Sequence, residues 1–223
     1  MRTHFQRDLD QMQLHILGMA AMVERVIDQT IRAFQTRQPG LAEEVIRGDE
    51  NIDQEENFVE EECLKMLALH QPVAVDLRRI VAVLKINGDL ERMADLSVNI
   101  AERVLMLGEG PTLPFPGKVQ WMAEVTKQMV RQSLEAFVQM DAHLARRVIR
   151  MDDDVDRLNK EIIDELIVLM QSQPGCVTQG LSVFSAVRHL ERIADHATNI
   201  AEDVVYLVEG EIIRHRLPEA VAG

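Results

Sequence analysis

Residues 90–102 read LERMADLSVNIAE and residues 190–202 read LERIADHATNIAE, nine identities in thirteen positions set one hundred residues apart. On a helix turning about 100° per residue, Leu190, Ile193, Ala194, Ala197, Ile200, Ala201 and Val204 fall within about 120°, the width of a core-facing stripe. Glu191, Asp195, Asn199 and Glu202 occupy a separate arc of about 80°, nearly opposite. The first copy repeats the division, with Leu90, Met93, Ala94, Ile100, Ala101 and Val104 on the apolar arc and Glu91, Asp95, Asn99 and Glu102 on the other. Both stretches are therefore read as helices whose acids face away from the core of their own bundle.

The duplication is wider than this pair. AFQTRQPGLAEEVIRGDENID (33–53) aligns without gaps on AFVQMDAHLARRVIRMDDDVD (136–156), with nine identities in twenty-one. Near the start, Phe5, Leu9, Met12, Ile16, Met19, Val23 and Val26 recur in steps of four and three, the seam of a long packed helix. A second seam, Val45, Ile52, Val59 and Met66, has its counterpart in Val148, Val155, Ile162 and Leu169. Breakers at Gln38-Pro39-Gly40, Gln71-Pro72 and Gln173-Pro174-Gly175 each close a periodic segment. Helices of about thirty residues, some 45 Å long, follow from these limits. Each repeat is too long for a solenoid unit and long enough for a three-helix bundle with its own core. The fold class is all-α, two tandem pseudo-symmetric three-helix bundles. The first repeat spans 1–108, a Pro- and Gly-rich linker 109–118, the second repeat 119–213, and a tail 214–223.

Acids outnumber bases 37 to 24, a formal charge of −13 that opposes binding to a polyanionic nucleic acid. No apolar run is long enough to insert into a membrane, and the first residues lack a secretory signal, so a cytoplasmic protein is expected. Two cysteines, Cys63 and Cys176, are too few for a disulfide framework and read as structural thiols. The twelve methionines and few aromatic residues suit helix packing.

Asp49 with Asp53, and Asp152 with Asp156, place two acids four residues apart on the second helix of each half, as Glu91/Asp95 and Glu191/Asp195 do on the third. Like charges at that spacing repel by roughly 0.2–0.5 kcal/mol per pair, so four pairs would cost about 1–2 kcal/mol with no structural return. Something cationic is expected to offset this: Arg92 and Arg192 folding over the pairs, a multivalent ion, or a basic partner. Carboxylate and amide oxygens suit hard cations such as Mg²⁺, Mn²⁺, Ca²⁺ or iron better than zinc or copper. On spacing alone, a surface metal site, an acidic docking patch and a merely solvated face all remain open.

Two repeated units, each with an acid-xxx-Asp pair on its second helix and Glu-Arg-x-Ala-Asp followed by Asn-Ile-Ala-Glu on its third, resemble the PhoU family of phosphate-uptake regulators over about residues 1–213. The resemblance implies a cytoplasmic, often dimeric protein of two three-helix bundles. It implies partners too: the ATPase subunit of a Pst-type phosphate ABC transporter, which the protein restrains, and a phosphate-sensing histidine kinase, which it helps to hold the phosphate regulon off. It further implies surface metal ions, iron first and Mg or Mn as alternatives. Matched position by position, the ligands are Asp49, Asp53, Glu91 and Asp95 in one half and Asp152, Asp156, Glu191 and Asp195 in the other. Asn99, Glu102, Asn199 and Glu202, on the same arcs, complete the sets. His189 stands where the first half has Asp89, so the halves are expected to differ.

The sequence holds no nucleophile with a base at a plausible position, no Gly-rich phosphate loop and no Glu-x-x-His at the motifs, so no enzyme is expected. His196 lies about 100° round the helix from Asp195 and reads as a surface residue. Two rivals remain: a carboxylate-bridged di-iron bundle enzyme, which directs its ligands into the core, and a structural acidic scaffold.

Overall fold

Apolar residues at steps of three and four bury one stripe of each helix, and the interruptions between stripes set where the chain turns. The computed structural model describes residues 2–107, 117–210 and 213. It contains α1 (Arg2–Thr36), α2 (Pro39–His70), α3 (Val75–Leu107), α4 (Gly117–Gln139), α5 (Ala142–Ser172) and α6 (Val177–Glu209), with a single 3₁₀ turn at Pro174–Cys176. The all-α reading holds. Of the linker 109–118, residues up to 116 lie outside the described residues, as does the tail 214–223, while Gly117 and Lys118 already belong to α4.

The breakers act as their chemistry requires. Pro39 opens α2 at a position where its missing N–H costs nothing. Gln71 ends that helix in the left-handed conformation with φ 46°, and Gly210 closes α6 at φ 77°. One boundary carries no Pro or Gly. Asp141 caps α5, its carboxylate accepting from the backbone N–H of His143 at 2.8 Å and of Leu144 at 2.9 Å. Asp141→Ala is expected to lower the melting midpoint by about 2–4 °C, with Asp141→Asn recovering most of it in the same thermal scan.

In α1, Leu9, Met12, Ile16, Met19, Val23, Ile27 and Ile31 are each at most 3% exposed. The stripe steps to Ile27 rather than to Val26, which is only partly buried. Helices α1, α2 and α3 pack on one another, as do α4, α5 and α6, and the two triplets meet chiefly through α3 against α6, with α1 against α4 beside it. The third helices thus bury two sides, one in their own bundle and one against the other bundle. Lys85 pairs with Asp203 at 2.8 Å and Asp89 with His196 at 2.8 Å, so the numbering rises on α3 as it falls on α6 and the two helices run antiparallel.

Cys63 is fully buried with its sulfur 3.3 Å from that of Met12, and burial pushes the thiol up to about 12, as an inert structural group requires.

Candidate metal-binding acid groups

The repeated motifs meet in two grooves, one between α2 and α3 and one between α5 and α6. In the first, Asp49 and Glu91 are half-buried while Asp53 and Asp95 are exposed. Asp49 is pushed up to about 6, by burial first and then by the charges of Asp53 and Asp95. Glu91 is pushed up to about 7, by burial and then by Asp95, Glu56 and Asp53, with the Arg92 guanidinium opposing. Asp95 acts on both helices, so the four carboxylates predicted from the repeat do share one electrostatic environment.

The second groove repeats the arrangement. Burial pushes Asp152 up to about 6, helped by Asp195 and Asp156 and opposed by the Thr198 hydroxyl. Glu191 is raised by burial and by Asp195, against Arg188. Asp195 is raised by burial and by Asp156.

The remaining four predicted residues follow the acid pairs along α3 and α6. Asn99 Nδ2 donates to the backbone carbonyl of Asp95 on its own helix at 2.8 Å. Asn199 Nδ2 donates at 3.4 Å to Asp89 Oδ1, across the seam between bundles. Glu102 stands beside Arg103 and acts on His189 of α6. Glu202 is half-buried one turn beyond Asn199. Glu102 and Glu202 follow Asp95 and Asp195 by seven residues, two turns and about 10 Å further along the same helices.

Other residues join the grooves without having been anticipated. Glu56 lies among the first group and is raised by burial, then by Glu60 and Asp53. Its spacing from Asp49, seven residues, places it on the same helix face, but comparison of the halves hides it because its counterpart is the buried Asn159. Arg188 Nη1 donates to Glu191 Oε1 at 3.1 Å. His196 is not a surface residue, for its side chain is 13% exposed and bound to Asp89 on the second buried side of α6.

Two atoms mark what these grooves lack. Asp49 Oδ1 and Glu191 Oε2 are buried without a hydrogen-bond partner among the described residues, an arrangement that costs free energy unless a donor or cation supplies the missing contact. Oxygen-only donors of strong mutual repulsion are what a hard divalent cation or iron takes. Among the described residues no three His, Cys, Asp or Glu side chains converge on a single point, so the carboxylates flank each groove rather than close a cage. The donor chemistry fits a metal, and coordination by three or more of these carboxylates requires the exposed aspartates to turn inward. The positions facing each bundle's own core at the motif, Leu90, Met93 and Ala94 with Leu190, Ile193 and Ala194, are apolar and at most 1% exposed. That is unlike a bundle with its metal ligands inside.

A family model described as the PhoU domain matches residues 16–104 and again 119–204. The chain is 41% identical over 210 residues to the phosphate-specific transport system accessory protein PhoU homolog of Aquifex aeolicus (strain VF5), covering 94% of this chain and 95% of that one. It is 39% identical over 212 residues to the homolog of the same description from Pseudomonas putida, covering 95% and 83%. The crystal structure of PhoU from Pseudomonas aeruginosa superposes with a TM-score of 0.91 at 38% identity, over 93% of this chain and all of that one. The phosphate transport system regulatory protein PhoU from Streptococcus pneumoniae does so at 0.88 and 30% identity, over 94% and 99%.

Proposed function

This chain belongs to the PhoU family, and from that premise we propose that it is a cytoplasmic regulator of phosphate homeostasis. It restrains a Pst-type phosphate ABC transporter through the ATPase subunit, and it helps a phosphate-sensing histidine kinase keep the phosphate regulon repressed when phosphate is plentiful. It works as a homodimer and an adaptor rather than an enzyme. The observation that carries the reading is the family match across both halves of a chain whose duplicated acid pairs fall in equivalent grooves. Among the described residues no helix is long and apolar enough to cross a membrane.

Metal ions held in the grooves are part of the proposal, iron by resemblance and Mg²⁺ or Mn²⁺ by the same donor chemistry. Asp49, Asp53, Glu91 and Asp95 would hold one group, and Asp152, Asp156, Glu191 and Asp195 the other. A bound cation offsets the carboxylate repulsion and satisfies the orphaned Asp49 and Glu191 oxygens.

The test is one purification from phosphate-fed cells, followed by elemental analysis and identification of co-purified proteins. Wild type is expected to carry metal and to bring down the transporter ATPase subunit or the sensor kinase. Asp95→Ala combined with Asp195→Ala is expected to lose most of the metal. Equal metal in both proteins would remove these ligands from consideration, and recovery of neither partner would defeat the regulatory reading.

A further inference from the structure

The two acid groups are related by the internal repeat but are not electrostatically equal. On α6, Arg188 reaches from one turn upstream to Glu191, Nη1 to Oε1 at 3.1 Å, with the Glu191 side chain 13% exposed and that of Arg188 44%. One hundred residues earlier the counterpart of Arg188 is Gly88. A Cβ placed at Gly88 meets nothing within 4 Å, so packing does not enforce the glycine, which is otherwise unfavourable inside a helix. Each group also has one repeated arginine, Arg92 bearing on Glu91 and Glu56 and Arg192 on Asp195, so Arg188 is a further cation that the first group lacks. The first group also has Glu56 and Glu60 on α2, where α5 carries Asn159 and Ile163.

We infer that Arg188 is a tethered counter-cation for the α5–α6 group, so that the two groups bind a divalent cation unequally: the α2–α3 group fills first, and at the α5–α6 group the ion must displace the guanidinium from Glu191. The inference rests on the metal reading proposed above and assigns a residue that sets affinity without being a ligand. A unit charge a few ångströms from a divalent ion acts with a force that even water leaves appreciable, and the resulting difference in affinity is about tenfold or more. The physical consequence is graded occupancy. One groove is loaded at low metal and the other only as the free ion rises, which gives the two bundles different metal states over an intermediate range.

Mn²⁺ serves as the probe, titrated into the full chain in about 0.15 M salt to suppress diffuse binding to the −13 charge. Bound ion is counted by electron paramagnetic resonance, and folding of each variant is checked by circular dichroism. Wild type is expected to show two classes of site about tenfold apart, the tighter lost in Asp49→Asn with Asp95→Asn. Arg188→Ala should tighten the weaker class about tenfold, Arg188→Lys should leave it close to wild type, and Gly88→Arg should weaken the tighter class by a similar factor. A single affinity for both sites, unchanged in Arg188→Ala and Gly88→Arg, would overturn the inference while leaving the metal reading intact. No Mn²⁺ bound by any of the proteins would instead overturn the metal reading, and the inference with it.

Discussion

Metal-free protein at pH 5 is expected to melt about 5–10 °C higher than the same protein at pH 8. The sign follows from where the groove carboxyls titrate. Asp49 and Asp152 are raised to about 6 and Glu91 to about 7, all above the ordinary carboxylate range. Between that range and the raised values the folded chain holds protons that the unfolded chain has released, so stability falls as pH rises through about 4–7 and levels off above it. Each tenfold gain in proton affinity on folding is worth about 1.4 kcal/mol, but these groups are partly open to water. Discounting for screening leaves about 2–3 kcal/mol across all three, which for a chain of this length is several degrees.

Melting scans in a chelator at pH 5, 6, 7 and 8 check this. The triple variant Asp49→Asn, Glu91→Gln, Asp152→Asn should flatten the profile and raise the midpoint at pH 8. Excess Mn²⁺ should do the same for wild type, because a cation binds the ionised carboxylates and its stabilisation grows as pH rises. A chelated protein that melts higher at pH 8 than at pH 5 would show that the carboxylates are not held against one another in the folded state.

Much of this arrangement was legible in the chain itself. The apolar arc drawn for the repeated motif, Leu90 to Val104 and Leu190 to Val204, is buried in every named position, because a helix with one wet face shows its period directly. The eight acids at i and i+4 gather by pairs in two grooves for the same reason. A helical wheel treats everything off the core stripe as a single outer surface, and there the reading of the third helices stops. Helices α3 and α6 have a second buried side, so Asn199 and His196, read as groove and surface, turn instead toward Asp89 in the seam. No apolar period announces that side, since Lys85, Asp89, His196, Asn199 and Asp203 on it are polar. Comparison of the halves adds its own blind spot: it finds what was kept in both copies and misses Glu56 and Arg188, whose counterparts Asn159 and Gly88 have different chemistry.

His196→Leu is expected to cost about 2–4 kcal/mol, read as a lower urea midpoint at unchanged slope. His196 Nδ1 lies 2.8 Å from Asp89 Oδ1, and the two side chains are 13% and 7% exposed. The only other groups the structure brings to that oxygen are Asn199 Nδ2 at 3.4 Å and Arg92 Nη1 at 4.0 Å, both at the edge of useful range among the described residues. Removing the imidazole therefore leaves a carboxyl buried between two bundles with its main partner gone, which costs more than the net worth of the bond. Size is not the difficulty, because the equivalent position in the first half is already a leucine, Leu96, at 3% exposure. Asp89→Ala removes the other member and should cost less than His196→Leu, since no charge is stranded. The double variant is the decisive measurement: with the carboxyl gone the leucine meets no unpaired group, and the combined loss should fall short of the sum of the single losses by about 1–3 kcal/mol. Strict additivity, with each single change below about 0.5 kcal/mol, would mean that the Asp89–His196 pair does not hold α3 to α6, leaving that seam to apolar contact and the Lys85–Asp203 pair.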